Sequence, residues 1–462
     1  MHENPNQIYN PWEKFFRAKI HSPFEVFLHA QITSGAILML MTVIALLWVN
    51  SPLAQIYKHI LHTHITLGIG SFTLDHDMHF WINDGLMTLF FFLVGLEIKR
   101  EILVGELSDI KVSILPILAA IGGMIIPALI FQFVTKGQGG SEGWGIPMAT
   151  DIAFAVSVIV LLGNRVSKQL VTFLIALAIV DDLGAVSVIA IFYTAQINMA
   201  ALAIALGLFF ILIVFNRFGI RSALPYGLVG IFLWFFMLES GVHATIAGVL
   251  VAMTIPSLPK FNPKQFSQSM RRMLDEFCER QIGDDFVLKD KQKSLVRDMQ
   301  QKIIGIEAPL NRYENALHLP IGLIIIPLFA LINAGIPIDF SSLDTLLVQP
   351  VSLGIIFGLV AGKVIGIFGV SWLAIKLKIA RLPKNATLNQ LFGVSFLGGI
   401  GFTMSIFVAD LAYTTNPVLL IQSKTAILTA SIVAGFSGYF WLRFVAHKKT
   451  SILKDDKHTE SQ

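Results

Sequence analysis

The sequence predicts an all-α polytopic membrane protein with twelve transmembrane helices, from its composition, its apolar runs and its distribution of basic residues. Of its 462 residues, 55% are hydrophobic and 14% are charged, whereas a soluble domain carries about 25% charged residues. The apolar runs are roughly 18 to 25 residues long, which is the length a helix needs to cross a bilayer. This composition excludes a nucleic-acid-binding protein, a soluble enzyme and a secreted scaffold built on disulfides.

The twelve predicted spans are bounded by the ends of the apolar runs. The fourth span is interrupted by Gly143, Gly145 and Pro147, and the eighth is short. The spans cover residues 33–50, 79–103, 113–134, 146–162, 169–193, 200–217, 223–237, 241–256, 316–335, 351–375, 389–412 and 422–445.

Basic residues predict the orientation of the chain. With both termini in the cytoplasm, the outer loops hold only Lys58, Lys136 and Lys424. Lys363 then lies inside a span, and the other thirty of the 34 Lys and Arg residues lie on the inner side. This asymmetry obeys the positive-inside rule, so it supports an even number of spans and cytoplasmic termini.

The long inner loop separates two groups of spans. It is rich in charge and partly periodic like a helix, so we expect a solvated insertion with a structural or regulatory role. The N-terminal segment carries charges and no apolar core, unlike a signal peptide. The predicted organisation is a cytoplasmic N-terminus (1–32), spans one to eight (33–256), a cytoplasmic insertion (257–313), spans nine to twelve (314–446) and a cytoplasmic tail (447–462).

The outer loop near residues 65–74 predicts a short β-hairpin, because Gly68, Gly70 and Ser71 separate two β-prone runs. The single cysteine, Cys278, excludes an internal disulfide. For the histidines of this loop we expect a solvated environment rather than a metal site. These histidines are His59, His62 and His64.

Two glycine-interrupted spans resemble each other. Thr150–Phe154 follows a Gly-rich stretch in the fourth span, and Thr403–Phe407 follows Gly398–Gly401 in the eleventh. Each would be the second helix of a three-helix unit, formed by spans three to five and ten to twelve. Paired broken helices in matching positions of two halves indicate the binding site of a transporter.

Five ionisable residues stand in or near the apolar spans. A charged group at the centre of a membrane helix costs about 2.5–3.5 kcal/mol, so such residues are expected to have a function. Four lie inside spans and Asp84 lies nearer an interface. The four are Asp151, Asp181, Asp182 and Lys363.

Adjacent positions such as Asp181 and Asp182 point about 100° apart on a helix. One carboxylate can therefore face a cation path while the other meets a partner across a helix interface; a purely structural pair is the alternative. Lys363 stands beside a row of glycines spaced by four residues, which lets a neighbouring backbone approach closely. It can pair with an aspartate or with helix C-terminal carbonyls, or extend to the membrane interface.

Asp151 stands where the fourth span breaks, so it can neutralise the positive ends of two half-helices or guide a cation. Hard cations such as Na⁺ prefer oxygen ligands, which Asp182, Asp151 and Thr150 supply. Burial favours the neutral form of a carboxyl group, so protons and cations compete for one site. Competition at a site that faces each side of the membrane in turn produces exchange.

Long, ordered motifs across nearly the whole membrane part resemble the NhaA-type sodium/proton antiporters. The resemblance implies twelve helices in inverted three-helix repeats with two crossed broken helices, in a bacterial inner membrane. It also implies export of Na⁺ or Li⁺ in exchange for H⁺, no enzymatic activity or cofactor, and a homodimer formed through the outer hairpin. The motifs are Trp81–Asp84, Val94–Glu101, Ala119–Met124, Ala149–Phe154, Ala176–Ala185, Ser240–Thr245, Pro327–Ala330 with Asn333–Gly335, and Gly399–Ser405.

The resemblance assigns roles residue by residue. Asp182 matches the principal cation-binding aspartate of the family. Asp181 matches its neighbour, which pairs with the lysine that Lys363 matches. Asp151 and Thr150 match the residues at the helix break.

The resemblance also implies a cation path through Asp84 and a pH-sensing cluster at the cytoplasmic funnel. Asn311 and Asn315 stand where a lysine and a histidine are expected, so we expect a shifted pH dependence. His243 matches a histidine tied to the pH response, with a buried, hydrogen-bonded histidine as the alternative. The cluster comprises Glu97, Lys99, Arg100, Glu101, Glu314 and His318.

Two other functions fit the sequence less well. A carrier of a small organic solute would place polar or aromatic ligands near the crossing, where most residues are small and aliphatic. An intramembrane aspartyl protease using Asp151 with Asp181 would show a Gly-x-Gly-Asp motif, which the sequence lacks.

Overall fold

A computed structural model describes residues 23–69, 72–194, 197–279, 290–337 and 346–459. Within these residues the chain is mostly helical. Seven helices are long and apolar enough to cross a membrane, or nine if each of two bent helix pairs counts as one span. The predicted all-α membrane architecture is therefore confirmed at this level. Most of the predicted N-terminal segment lies outside the described residues.

Short irregular turns interrupt several spans. A 3₁₀ segment, Ser141–Met148, overlaps the start of the fourth predicted span and begins five residues before it, and π-helical turns lie at Trp81–Leu86, Ile321–Ile325, Gly358–Gly362 and Ile365–Gly369. The α-helices in chain order are α1 (Pro23–Val49), α2 (Ala54–Leu61), α3 (Met78–Phe80), α4 (Met87–Leu103), α5 (Ile110–Val134), α6 (Ile152–Val160), α7 (Lys168–Phe192), α8 (Met199–Arg217), α9 (Ala223–Glu239), α10 (Ile246–Thr254), α11 (Pro263–Glu279), α12 (Asp290–Ile306), α13 (Pro309–Pro320), α14 (Ile326–Asn333), α15 (Pro350–Phe357), α16 (Val370–Lys376), α17 (Leu388–Leu397), α18 (Phe402–Ala412) and α19 (Pro417–Thr459).

Polar side chains determine where several helices begin. Asp109 accepts a hydrogen bond from a first-turn amide of α5, and Ser167 does the same for α7. At α17, Thr387 and Gln390 form a reciprocal capping box. Such caps satisfy the amides that have no partner inside the helix.

The glycine row beside Lys363 allows the close backbone approach that was predicted, and the neighbouring helix is α5. A Cβ atom on Gly366 would overlap the backbone of Gly122, and one on Gly362 would lie 2.9 Å from the Cα of Pro127. Only glycine allows the two backbones to approach this closely. This contact places Lys363 in the centre of the protein, where it is fully buried.

The predicted hairpin is confirmed and extends beyond its predicted ends. Strands β1 (His64–Ile69) and β2 (Phe72–Asp77) are antiparallel, with His64 opposite Asp77; the turn between them lies outside the described residues. The Thr66 hydroxyl donates a hydrogen bond of 2.8 Å to Asp75, which holds the pKa of that carboxyl below its usual range. The Trp81 indole donates to the carbonyl of Ile65 and ties the hairpin to the membrane domain.

The predicted insertion contains a helical hairpin formed by α11 and α12, as its periodicity indicated. Its ends are tied together, because the Lys260 amide donates to the Gly305 carbonyl (2.8 Å) and the Leu310 amide to the Pro256 carbonyl (3.2 Å). Residues 280–289, which join the two helices, lie outside the described residues.

Substituting Gly366 with alanine should destabilise the protein by about 1–3 kcal/mol, because the added methyl group has no space against the α5 backbone. The measurement is thermal unfolding of the purified protein in detergent. Gly369→Ala is the matched control, since no atom lies within 4 Å of a Cβ built there. Equal melting temperatures for the two variants would contradict the packing described here.

Candidate functional site

Two breaks in helical structure meet at the centre of the membrane domain. One lies between the segment Ser141–Met148 and α6, and the other lies between α17 and α18, which are bent by 46° relative to each other. The Asp151 amide donates a hydrogen bond of 2.7 Å to the carbonyl of Ile400. The Thr150 hydroxyl donates one of 2.8 Å to the carbonyl of Gly398. The breaks are therefore joined directly.

Asp151 serves the N-termini of both half-helices. Its Oδ1 accepts from the Phe154 amide at 3.0 Å, in the first turn of α6. Its Oδ2 accepts from the Thr403 amide at 3.1 Å and from the Thr403 hydroxyl at 2.5 Å, in the first turn of α18. One carboxylate thus satisfies free amides and opposes the positive dipole ends of two helices.

Lys363 lies at the same crossing, beside the C-terminal carbonyl end of a broken helix. Its ammonium group donates to Asp181 Oδ2 at 2.7 Å, to Thr150 Oγ1 at 2.9 Å and to the carbonyl of Met148. Met148 ends the 3₁₀ segment, so its carbonyl is a free helix C-terminal group. Lys363 therefore has both kinds of partner that its sequence context left open, an aspartate and a C-terminal carbonyl.

Asp182 differs from these groups because its carboxyl group forms no ion pair with any of the described residues. Its side chain is 5% exposed, and no group among the described residues donates a hydrogen bond to its carboxylate. Asp181, one residue earlier, is directed towards Lys363. The two adjacent carboxylates therefore divide as expected from their angular separation on α7: one is paired and one is free to take a ligand.

A cavity of about 540 Å³ approaches this region along α7. Its mouth contains an ion-paired group in which Arg100 Nε lies 2.9 Å from Glu314 Oε1, and Arg100 Nη2 lies 2.8 Å from Glu101 Oε1. Its deeper wall includes Phe90, Val156 and Ile179. Ile179 is the residue of α7 in the cavity lining that is nearest to Asp182 along the chain, and it precedes Asp182 by about one helical turn.

The structure brings together most of the predicted pH-sensing residues. Glu97, Arg100, Glu101, Glu314 and His318 all line the cavity. Lys99 does not join them, because its ammonium group caps the C-terminus of α10, donating to the carbonyls of two residues there at 2.7 and 2.5 Å.

The remaining predicted residues lie elsewhere. Asp84 is in the π-helical turn before α4, where its backbone carbonyl accepts hydrogen bonds from Thr88 and Trp234. His243 Nε2 lies 2.6 Å from the carbonyl of Tyr193 and is only partly exposed. Among the described residues, no group of three or more His, Cys, Asp or Glu side chains has the arrangement of a metal site.

Three polar residues, two in the site or its cavity and one in a separate buried ion pair, were not singled out from the sequence. Thr403 donates a hydrogen bond to Asp151. The sequence indicated that Thr403 lies in the second broken span, but not that Asp151 is its partner. Glu307, from the end of the insertion, lines the cavity and accepts from Asn315. Asp410 forms a buried ion pair with Lys424, a residue that the sequence analysis assigned to an outer loop.

Comparison with known proteins identifies the family. The family model described as Na⁺/H⁺ antiporter 1 matches residues 25–442. The chain belongs to this family. The Na⁺/H⁺ antiporter NhaA of Sulfurimonas denitrificans is 58% identical over 95% of this chain and 99% of the relative. The Na⁺/H⁺ antiporter NhaA 1 of Saccharophagus degradans is 49% identical over 96% and 95%, and the NhaA of Dichelobacter nodosus is 46% identical over 94% of each chain.

Removing the ammonium group by Lys363→Met should lower the free energy of unfolding by about 3–5 kcal/mol, because Asp181 would remain buried without a compensating charge. Thermal unfolding in detergent measures this loss. The double variant Asp181→Asn with Lys363→Met should regain stability.

Lys376→Met is the control, because Lys376 is exposed at the end of α16. A wild-type melting temperature for Lys363→Met would show that the pair does not stabilise the crossing.

Proposed function

We propose that this chain is a secondary active antiporter that exports Na⁺ or Li⁺ in exchange for H⁺, with Asp182 as the shared binding site. The family membership supports exchange of Na⁺ for H⁺. The observation that carries the assignment is the buried carboxylate of Asp182, which lies about one helical turn from Ile179 in the lining of a cavity of about 540 Å³. A carboxylate in that position accepts either a proton or a hard cation, and binding one displaces the other.

The neighbouring groups have different roles in this proposal. Thr150 and Asp151 supply oxygen atoms at the crossing, although both Asp151 oxygens already accept hydrogen bonds from α6 and α18. Asp151 therefore acts mainly by holding the half-helices in place. The Asp181–Lys363 pair carries a second proton, which makes the exchange electrogenic.

The cavity mouth is the proposed pH-responsive entrance. The Arg100 ion pairs with Glu101 and Glu314 respond to protonation, because a neutral carboxyl group no longer compensates the guanidinium. In the proposed orientation both termini and this cavity face the cytoplasm, and Asp84 lies on the path to the other side. His243 contributes to the same pH response from the outer side.

The finer architecture is part of the proposal. Twelve helices in inverted three-helix repeats, with the two broken spans crossing, account for the two breaks that meet at Asp151. The protein would lie in a bacterial inner membrane as a homodimer whose protomers contact each other through the outer hairpin. The insertion with α11 and α12 would remain in the cytoplasm.

Transport of a small organic solute is the alternative function. The deep end of the cavity is lined by apolar groups such as Phe90, Val156 and Ile179, which offer no hydrogen bonds to orient a polar solute. The family membership does not favour this alternative either.

Asp182→Asn should abolish Na⁺-dependent proton movement, because an amide carries no charge to exchange between a proton and a cation. The measurement is recovery of fluorescence from a pH-sensitive dye in acid-loaded everted vesicles after addition of NaCl, LiCl or KCl across a range of pH. Asp290→Asn is the control, since the Asp290 side chain is fully exposed in the insertion. Substantial remaining exchange in Asp182→Asn would refute the role of Asp182.

A further inference from the structure

A second buried ion pair lies away from the crossing, between Asp410 near the end of α18 and Lys424 in the second turn of α19. The ammonium nitrogen lies 2.8 Å from Asp410 Oδ1, and the two residues are 8% and 9% exposed. Both carboxylate oxygens are buried and accept no regular hydrogen bond from the described residues. Lys424 is therefore the group that compensates this carboxylate. Burying an ion pair that has few additional hydrogen bonds costs much of the energy that the pair gains, so stability alone does not explain its presence.

The pair joins two helices that follow each other in the chain. Helices α18 and α19 are joined by residues 413–416 only, so they run antiparallel, and they pack on each other. They are tied at two points that are two helical turns apart on each helix. One is the Asp410–Lys424 pair, and the other is a hydrogen bond of 3.2 Å from the Phe402 amide to the Ser431 hydroxyl.

The inner tie lies next to the cation site. Phe402 begins α18, and Thr403, the next residue, donates both its amide and its hydroxyl to Asp151. From Thr403 to Asp410, α18 rises about 10 Å. A tilt of α18 at its Asp410 end would therefore displace the first turn, and the two hydrogen bonds to Asp151 depend on the placement of that turn.

We propose that Asp410 and Lys424 are positioning residues for the cation site. They fix the Asp410 end of α18 against α19. The hydrogen bonds from Thr403 to Asp151 are thereby maintained, and with them the positions of the helix ends beside Asp182. Neither residue contacts the ion. This inference rests on the exchange function and on the role of Asp182 proposed above.

The test compares three variants with a control on the same helix. Asp410→Asn and Lys424→Met each remove one charge of the outer tie, and Ser431→Ala removes the inner tie without changing charge. Thr425→Ala is the control, because its hydroxyl bonds only within α19, to the carbonyl of Ile421 at 2.9 Å. The measurements are the apparent KM for Na⁺ and the maximal rate in everted vesicles, and the melting temperature of each purified protein.

The three tie variants should raise the apparent KM for Na⁺ by about tenfold while the maximal rate changes little, because the site is displaced rather than removed. Thr425→Ala should keep the wild-type KM. A lower melting temperature with an unchanged KM in the tie variants would overturn the proposal, since a purely structural pair gives that result.

A double-mutant cycle tests whether the pair acts through Thr403. Thr403→Val removes the hydroxyl that donates to Asp151. If the pair works through this contact, the double variant Asp410→Asn with Thr403→Val should have the same KM as the single variant with the higher KM. The two increases in KM should not multiply. Independent, multiplicative effects would refute the proposed route.

Two results keep this test separate from the exchange function. If the charge variants do not fold, Ser431→Ala decides, and a wild-type KM in that variant refutes the positioning role. If the wild-type protein shows no Na⁺-dependent flux, the exchange function itself fails and the inference fails with it. Wild-type exchange together with unchanged KM values in the tie variants rejects only the positioning role.

Discussion

The compensation of helix ends at the crossing is the constraint on which the rest of the structure depends. Breaking two helices inside an apolar protein leaves free amides and free carbonyls, which are costly without partners. Asp151 satisfies amides from α6 and α18, and Lys363 satisfies the carbonyl of Met148. Because these two side chains stabilise the breaks, the helices can remain interrupted at the crossing, beside the proposed cation site.

The same compensation distinguishes Asp182 from the other two aspartates at the crossing. The positive charge of Lys363 is held by Asp181, and the carboxylate of Asp151 is held by two helix N-termini. Among the described residues, Asp182 has no such partner, while Asp181 is paired through Oδ2 and its Oδ1 accepts no hydrogen bond. In the proposed function, a small cation or a proton that binds Asp182 supplies a positive charge there, and exchange follows from their competition for this carboxylate.

The sequence was informative where a local pattern determines the structure. The β-prone runs around Gly68 and Gly70 predicted the hairpin, and the spacing of glycines around Lys363 predicted a close helix contact. The different directions of Asp181 and Asp182, about 100° apart, followed from helical geometry alone. The assignments of ion-binding roles stay predictions, since the structure shows positions and partners but no transport.

Contacts between distant helices could not be predicted in the same way. Lys99 lies in a motif with Arg100, yet it turns to the end of α10 because free carbonyls there accept its ammonium group. Lys424 looked like an outer-loop residue because its charge stood at the start of an apolar run. Its pairing with Asp410 depends on how α18 and α19 align. The periodicity of one helix does not indicate which other helix packs against it.

The contact between Gly122 and Gly366 limits which movements can accompany transport. No layer of side chains separates the two backbones there, so neither helix can roll over the other without the main chains colliding. Lys363 is carried on one of these helices. In the proposed exchange mechanism, a displacement of this lysine therefore carries α5 as part of the same rigid body, and the change of access between the two sides of the membrane occurs at other, more loosely packed boundaries.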